Sequence, residues 1–184
     1  MPPDPLHADA VAVLSGWAAP SPGQNELRRS YLDLLRAEPG AMRRSCVPAH
    51  LTGSALILDP AAERVLLLLH GRAGLWLQAG GHCEDGDGSL AATALREATE
   101  ESGIAGLALG GGGSPVKLDR HPAPCRPGVA EWHLDVQYLA VAPPGAVATV
   151  SDESRDLGWF RYDDLPAPLG GGVVELIAAA RAAL

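Results

Sequence analysis

The sequence predicts an α+β fold, with helices packed on a mixed sheet and an added helical segment at the front. Three observations carry this expectation. The first fifty residues carry helix caps and a 3.6-residue apolar rhythm. From Leu51 onward, short aliphatic runs and strict alternation take over. Only two further stretches read as helical, at about Ser89–Ser102 and Val173–Ala183. The implied organisation is an N-terminal helical extension over residues 1–50 packed on a second unit over residues 51–184.

Asp4-Pro5 starts the first helix, since Pro is tolerated in the opening turn, and Val13, Leu14 and Trp17 share a face. Ser21-Pro22-Gly23-Gln24 reads as a capping box. Leu27, Tyr31, Leu34 and Leu35 then form a stripe at i, i+4, i+7 and i+8, and Pro39-Gly40 ends it because Pro disfavours helical geometry at Glu38. Leu51–Leu58 and Val65–His70, separated by Asp59-Pro60-Ala61-Ala62-Glu63, read as a hairpin. Trp76-Leu77-Gln78 is a short strand before a glycine loop, and Gly110–Gly113 reads as a loop. Over His133–Ala142, Leu134, Val136, Tyr138 and Ala140 point one way, and His133, Asp135 and Gln137 the other. Leu157–Tyr162 is the last strand, and Val173, Leu176, Ile177 and Ala180 mark one face of the last helix.

Composition narrows the function. The 184 residues carry 14 basic and 22 acidic groups, a net charge of −8, so bulk electrostatic capture of nucleic acid is not expected. No apolar run approaches a membrane span; Val65–Leu69 is the most notable, and no secretory signal is visible in Met1–Ala10. Three cysteines, Cys46, Cys83 and Cys125, are too few and too scattered for a disulfide framework. The expected setting is cytoplasmic, without a membrane or nucleic-acid partner.

Chemistry concentrates in Gly80–Ile104. Ser89 is an N-cap and Gly103 a C′ glycine, and between them, at about 100° per residue, Glu97, Glu100 and Glu101 fall on one edge of a helix. Ala91, Leu95, Ala98 and Ser102 gather on the opposite side, where small residues allow close approach to a sheet, while the acidic edge faces a cleft. Carboxylates at i, i+3 and i, i+4 repel by about a few tenths of a kcal/mol per pair. Arg96 offsets part of this across one turn, and a divalent cation would offset far more.

The string from Gly81 to Ile104, with Arg96-Glu97-Ala98-Thr99-Glu100-Glu101-Ser102-Gly103-Ile104 at its end, resembles the Nudix box. The wider likeness runs from about Leu51 to the end of the chain and implies a Nudix-like α/β/α sandwich. Asp87 stands where the pattern has Glu, and the spacing from there to Arg96 is one residue longer than usual, so Asp87 or Asp85 substitutes for that Glu. The resemblance implies hydrolysis of a pyrophosphate in a nucleoside diphosphate linked to another moiety, with Mg²⁺ or Mn²⁺ and water attacking phosphorus. It implies Glu97, Glu100, Glu101 and the Gly81 carbonyl as metal ligands, and Arg96 as the arginine that orients one of them. A later carboxylate serves as ligand or base; Glu153 is preferred over Asp152 and Glu131. Glu100, Arg96 and Glu153 are thus the catalytic candidates. Two other readings are a Nudix-fold module that binds a nucleotide without cleaving it, and an isomerase acting on isoprenoid diphosphates.

His82, Trp76, Gln78, His133 and Asp135 are the substrate-binding candidates. Trp76 fits a core role equally well, and His133 and Asp135 fit a solvated sheet face. Trp159-Phe160 reads as core, with base stacking as the alternative; Arg43, Arg44 and Arg72 read as surface residues within reach of phosphates. His82, Cys83, His121, Cys125 and His133 match no compact zinc motif. Residues 1–50 are expected to cover one side of the sheet or to form a homodimer contact.

Overall fold

The structure is a computed structural model that describes residues 4–122 and 131–184. Its elements run α1 (Pro5–Gly16), α2 (Pro22–Ala37), β1 (Ala49–Leu58), β2 (Arg64–His70), β3 (Trp76–Leu77), β4 (Ala79–His82), α3 (Leu90–Ser102), β5 (Ala108–Leu109), a 3₁₀ turn (Gly111–Gly113), β6 (Lys117–Pro122), β7 (Trp132–Val141), β8 (Ser154–Arg161) and α4 (Val173–Ala182).

β1 is the axis of a curled mixed sheet. It runs parallel to β7 along its whole length, from Ala49↔Trp132 to Leu58↔Val141. On its other side it is shared: its C-terminal end pairs antiparallel with β2, and its N-terminal half with β4. β8 extends the sheet beyond β2, and β6 flanks β7. Alternation along β1 divides the interior in two. Leu51, Ala55 and Ile57 face α1, α2 and α3, whereas Leu56 and Leu58 face α4 through Val173, Leu176 and Ile177. Gly53 lies under α3, where a Cβ would stand 3.1 Å from Thr93 and 3.2 Å from the α3 backbone. That absence of a side chain brings α3 close to the sheet.

The N-terminal helices are part of the main core. Leu6, Ala10 and Leu14 of α1 and Tyr31, Leu32 and Leu35 of α2 are buried in the cluster that holds Leu134, Val136 and Tyr138. Asp4 caps α1, and Ser21 accepts from the Gln24 backbone as expected. Only half of the expected capping box forms. The Gln24 side chain instead brackets Leu118 of β6, donating to its carbonyl at 2.9 Å and accepting from its N–H at 2.7 Å. This satisfies an edge-strand backbone that would otherwise face solvent. Tyr31 reaches further in, its hydroxyl donating to the Asp119 carbonyl at 2.6 Å.

Three strands lie outside the sequence pattern. The glycines of β4, Ala79–His82, predict a loop, and β5 and β6 lack apolar alternation. The glycine run folds as a 3₁₀ turn at Gly111–Gly113. The sheet-facing stripe of α3 is Leu90, Thr93, Ala94, Ala98 and Ser102, rotated from the expected Ala91, Leu95, Ala98 and Ser102, which brings Glu101 inward.

Tyr31→Phe removes one of the two side-chain donors, with Gln24, that tie α2 to β6. A loss of about 1 kcal/mol is expected, read as a fall of about 2–4 °C in Tm for a chain of this size. A chain starting at Val47 exposes the apolar face now covered by Leu6, Leu14, Tyr31 and Leu35, and is expected to be insoluble or to melt far below the full chain. Cooperative melting of that fragment near the full-length Tm would contradict the packing described.

Candidate active site

A cleft of about 790 Å³ opens beside the N-terminal half of β1, on the face that α4 leaves uncovered. That volume suits a nucleotide-sized ligand, within the roughly 300–1,000 Å³ common for such sites. The acidic edge of α3 and the glycine strand β4 form one wall, β6 and β7 form the floor, and Glu153, just before β8, comes from another side.

Ser89 accepts from the Ala92 N–H at 3.1 Å to start α3, and Gly103 ends it at φ 68°. Between these caps Arg96 is the organising cation. Its Nε and Nη2 bind both oxygens of Asp87 at 3.0 Å each, its Nη2 also donates to the His82 carbonyl at 2.8 Å, and its Nη1 donates to Glu97 at 3.0 Å and Glu100 at 3.1 Å. These bonds engage all five donors of a guanidinium. Asp87 also accepts from the Glu84 N–H and the Thr93 hydroxyl, so it closes the loop onto the helix. Burial alone would raise its carboxyl, but the Arg96 and Glu84 bonds outweigh that and lower it. Asp85 is exposed and pairs with Arg43, so Asp87 is the residue that meets Arg96.

The glutamates differ in setting. Glu100 is more than half exposed at the cleft rim. Glu97 is mostly buried, and a Cβ on Gly81 would stand 2.6 Å from its carboxylate, which would have to shift to admit a side chain there. Burial raises the Glu97 carboxyl, with Arg96 opposing and Glu100 and Glu153 adding to the shift. Glu101 is 8 % exposed and accepts from the Gly80 N–H at 2.8 Å. Burial, with the charges of Glu97 and Glu153, pushes it up to about 7 despite that bond. All three glutamates line the cleft, and of them only Glu100 is largely exposed. The clustered donors are all oxygens, the hard set that suits Mg²⁺ or Mn²⁺.

The floor is polar and buried. Asp135 accepts from Thr52 at 3.0 Å, Ser54 at 2.6 Å and Gln137 at 3.0 Å, and it faces the cleft rather than solvent. Beside it, Asp119 takes bonds from His121 at 3.0 Å and Lys117 at 2.8 Å; these hold its carboxyl down at about 2. His82 and His133 meet at 3.1 Å between Nε2 atoms. Burial and neighbouring rings lower His82 to about 4 and His133 to about 3, so both are neutral at physiological pH.

Arg96, Glu97, Glu100, Glu101, Gly81, Glu153, His82, Gln78, His133 and Asp135 all line this cleft. Trp76 does not; it packs edge-to-face on Phe160 at 5.0 Å in the α4 cluster, and Trp159 packs in the first cluster. Cys83 is buried with its thiol directed at the Leu51 carbonyl, and burial pushes it up to about 11. Cys125 lies outside the described residues. Asp152 does not line the cleft, whereas Arg44, Thr52 and Ser54 do. The alternation Thr52, Ser54 is readable in β1, but their meeting with Asp135 requires the register of β7.

A family model described as NUDIX domain matches residues 49–179. The chain belongs to the Nudix family. Among solved structures, a NUDIX-family hydrolase from Clostridium perfringens is 25% identical with a TM-score of 0.53, covering 73% of this chain and 95% of its own. A MutT NUDIX hydrolase from Burkholderia pseudomallei is 27% identical with a TM-score of 0.55, covering 71% of this chain and 97% of its own. An ADP-ribose pyrophosphatase from Streptococcus suis is 25% identical with a TM-score of 0.53, covering 72% of this chain and 90% of its own. The search of curated proteins found no match. The Nudix chain is a hydrolase acting on phosphorus anhydrides. Among the described residues, no helix is long and apolar enough to cross a membrane.

The Glu101 environment sets a pH dependence. Its folded value of about 7 lies above its ordinary 4.5, so its contribution to stability is complete below 4.5 and disappears as pH rises to about 7. Metal-free protein should lose stability across that window, and Glu101→Gln should remove the slope, melting higher than wild type at alkaline pH and equally in acid. Parallel melting curves for the two proteins over this window would refute the assignment of Glu101.

Proposed function

We propose that this Nudix protein hydrolyses the pyrophosphate of a nucleoside diphosphate linked to another moiety, in a reaction that depends on Mg²⁺ or Mn²⁺. The observation that carries the reading is the pair of buried carboxylates, Glu97 and Glu101, raised by burial and facing one cleft beside Glu100. Burying like charges together is costly unless a cation joins them. Arg96 alone cannot serve all three, since its donors are divided among Asp87, His82, Glu97 and Glu100 and none reaches Glu101.

Glu97, Glu100, Glu101 and the Gly81 carbonyl would hold the ion. When bound, it supplies Lewis-acid neutralisation of phosphate oxygens and acidifies water. Arg96 orients Glu97 and fixes the loop through Asp87 and the His82 carbonyl, so the donors are held before substrate arrives. Glu153 comes from a separate segment of the cleft and is close enough to raise both Glu97 and Glu101. It is the group we assign to accept the proton of the attacking water. Arg44, on the same cleft, supplies positive charge for a phosphate, whereas Arg43 is engaged with Asp4 and Asp85. Gln78, His82, His133 and Asp135 offer hydrogen bonds to the rest of the ligand.

The test is turnover of nucleoside diphosphate derivatives by the purified full chain. Release of nucleoside monophosphate with Mg²⁺, abolished by chelation, is expected; tight binding without turnover would overturn the reading. Glu100→Gln and Glu101→Gln should each lower kcat by at least about 10²-fold while the fold persists. Glu153→Gln should lower kcat with KM nearly unchanged; a KM effect alone would assign Glu153 to binding rather than proton transfer.

A further inference from the structure

We infer that His50, His82 and His133 form a second metal site, suited to a borderline ion of the Zn²⁺ class and separate from the glutamate cluster. The three residues stand on three neighbouring strands. β1 and β7 place His50 directly opposite His133, while β1 and β4 place His82 opposite Thr52, two residues along on the same face. Their rings converge with centroids 4.9 to 5.2 Å apart. One nitrogen from each lies within 4.8 Å of the other two. Tetrahedral zinc with Zn–N near 2.0–2.1 Å requires ligand nitrogens about 3.4 Å apart. The His82 and His133 Nε2 atoms, at 3.1 Å, are already close to that spacing. Side-chain adjustments of about an ångström bring in His50.

The surroundings agree with this assignment. His50 Nδ1 faces the Cys46 carbonyl at 3.3 Å. A carbonyl only accepts, so Nδ1 carries the proton and Nε2 is the basic nitrogen. This is the arrangement by which metal-ligating histidines are held: one ring nitrogen donates to a backbone carbonyl and the other binds the ion. Glu131, buried at the head of β7, acts on His82 as a negative charge and partly balances a dication. His121 also touches His133, at 5.3 Å between centroids, but its Nδ1 is engaged by Asp119, and this raises its basicity. It stands outside the ligand set, held by Asp119. Cys83 follows His82 in sequence, but its thiol is directed at the Leu51 carbonyl.

The site is chemically distinct from the glutamates. Three imidazoles select a borderline ion, and a carboxylate edge selects a hard one. His82 and His133 border the cleft while His50 is fully buried, so the fourth position opens toward the substrate. That position would take water or an anionic oxygen, with Arg44 nearby as a second positive group.

The test uses metal-free full-length protein with Mg²⁺ in excess to occupy the carboxylates, and Co²⁺ as the probe. One Co²⁺ per chain with the intense visible bands of four-coordinate, nitrogen-ligated cobalt is expected, displaced stoichiometrically by Zn²⁺. His50→Gln and His133→Asn should each weaken binding by at least about 100-fold. His121→Gln and the double variant Glu97→Gln/Glu100→Gln should keep the bands. X-ray absorption of the Zn²⁺-loaded wild type should show imidazole scattering, and it identifies the ligand type even where a histidine variant does not fold. No saturable band under excess Mg²⁺, oxygen-only scattering, or loss of the band in the glutamate double variant with its retention in the histidine variants would overturn the site. None of these readouts involves hydrolysis, so failure of the proposed activity and failure of this site are distinguishable.

Discussion

Burying carboxylates without enough positive charge is the constraint around which the cleft is arranged. In a low-dielectric wall, each unpaired acid either takes up a proton or finds a cation. Arg96 meets part of the demand by engaging every donor within one helical turn and one loop. Asp87 takes two of those donors, which locks the lengthened loop to α3. The remainder, centred on Glu101, is the negative charge that the proposed metal ion would meet. The same clamp thus provides structural integrity and an unmet charge.

The parallel pairing of β1 with β7 is the second determinant. Ten consecutive register pairs place polar residues of one strand against those of the other: Thr52 and Ser54 at Asp135, His50 at His133. On the opposite face the same pairing aligns Leu51 with Leu134 and Ala55 with Tyr138, under α1, α2 and α3. One sheet therefore serves as core on one side and as the floor of a cleft on the other. α4 covers only the far end of the polar face, where Leu56, Leu58 and Leu139 continue it as apolar surface.

The N-terminal helices support this floor from behind. Gln24 and Tyr31 bond the backbone of β6, the strand that carries Asp119 and His121 into the cleft. Their effect on the site is exerted through strand position rather than contact with a ligand.

The sequence by itself determined the elements with strong local signals. Ser21, Ser89 and Gly103 declared helix ends through cap chemistry, and Leu134 to Ala140 declared a two-faced strand through alternation. The box string placed Arg96, Glu97, Glu100 and Glu101 within one short helix. These are contacts between residues a few positions apart, which periodicity encodes directly. β4 escaped because glycines carry no side-chain pattern; its strand character comes from pairing with β1. Glu101 turned inward because α3 docks on Gly53, a contact no helical wheel contains. Trp76 faced the core because Phe160 lies next to it across the fold. The histidine cluster joins residues from distant parts of the chain, and only the register of β1 with β7 and β4 brings their rings together. Local chemistry wrote the helices and the acidic motif, and long-range strand pairing decided which polar groups share a cleft.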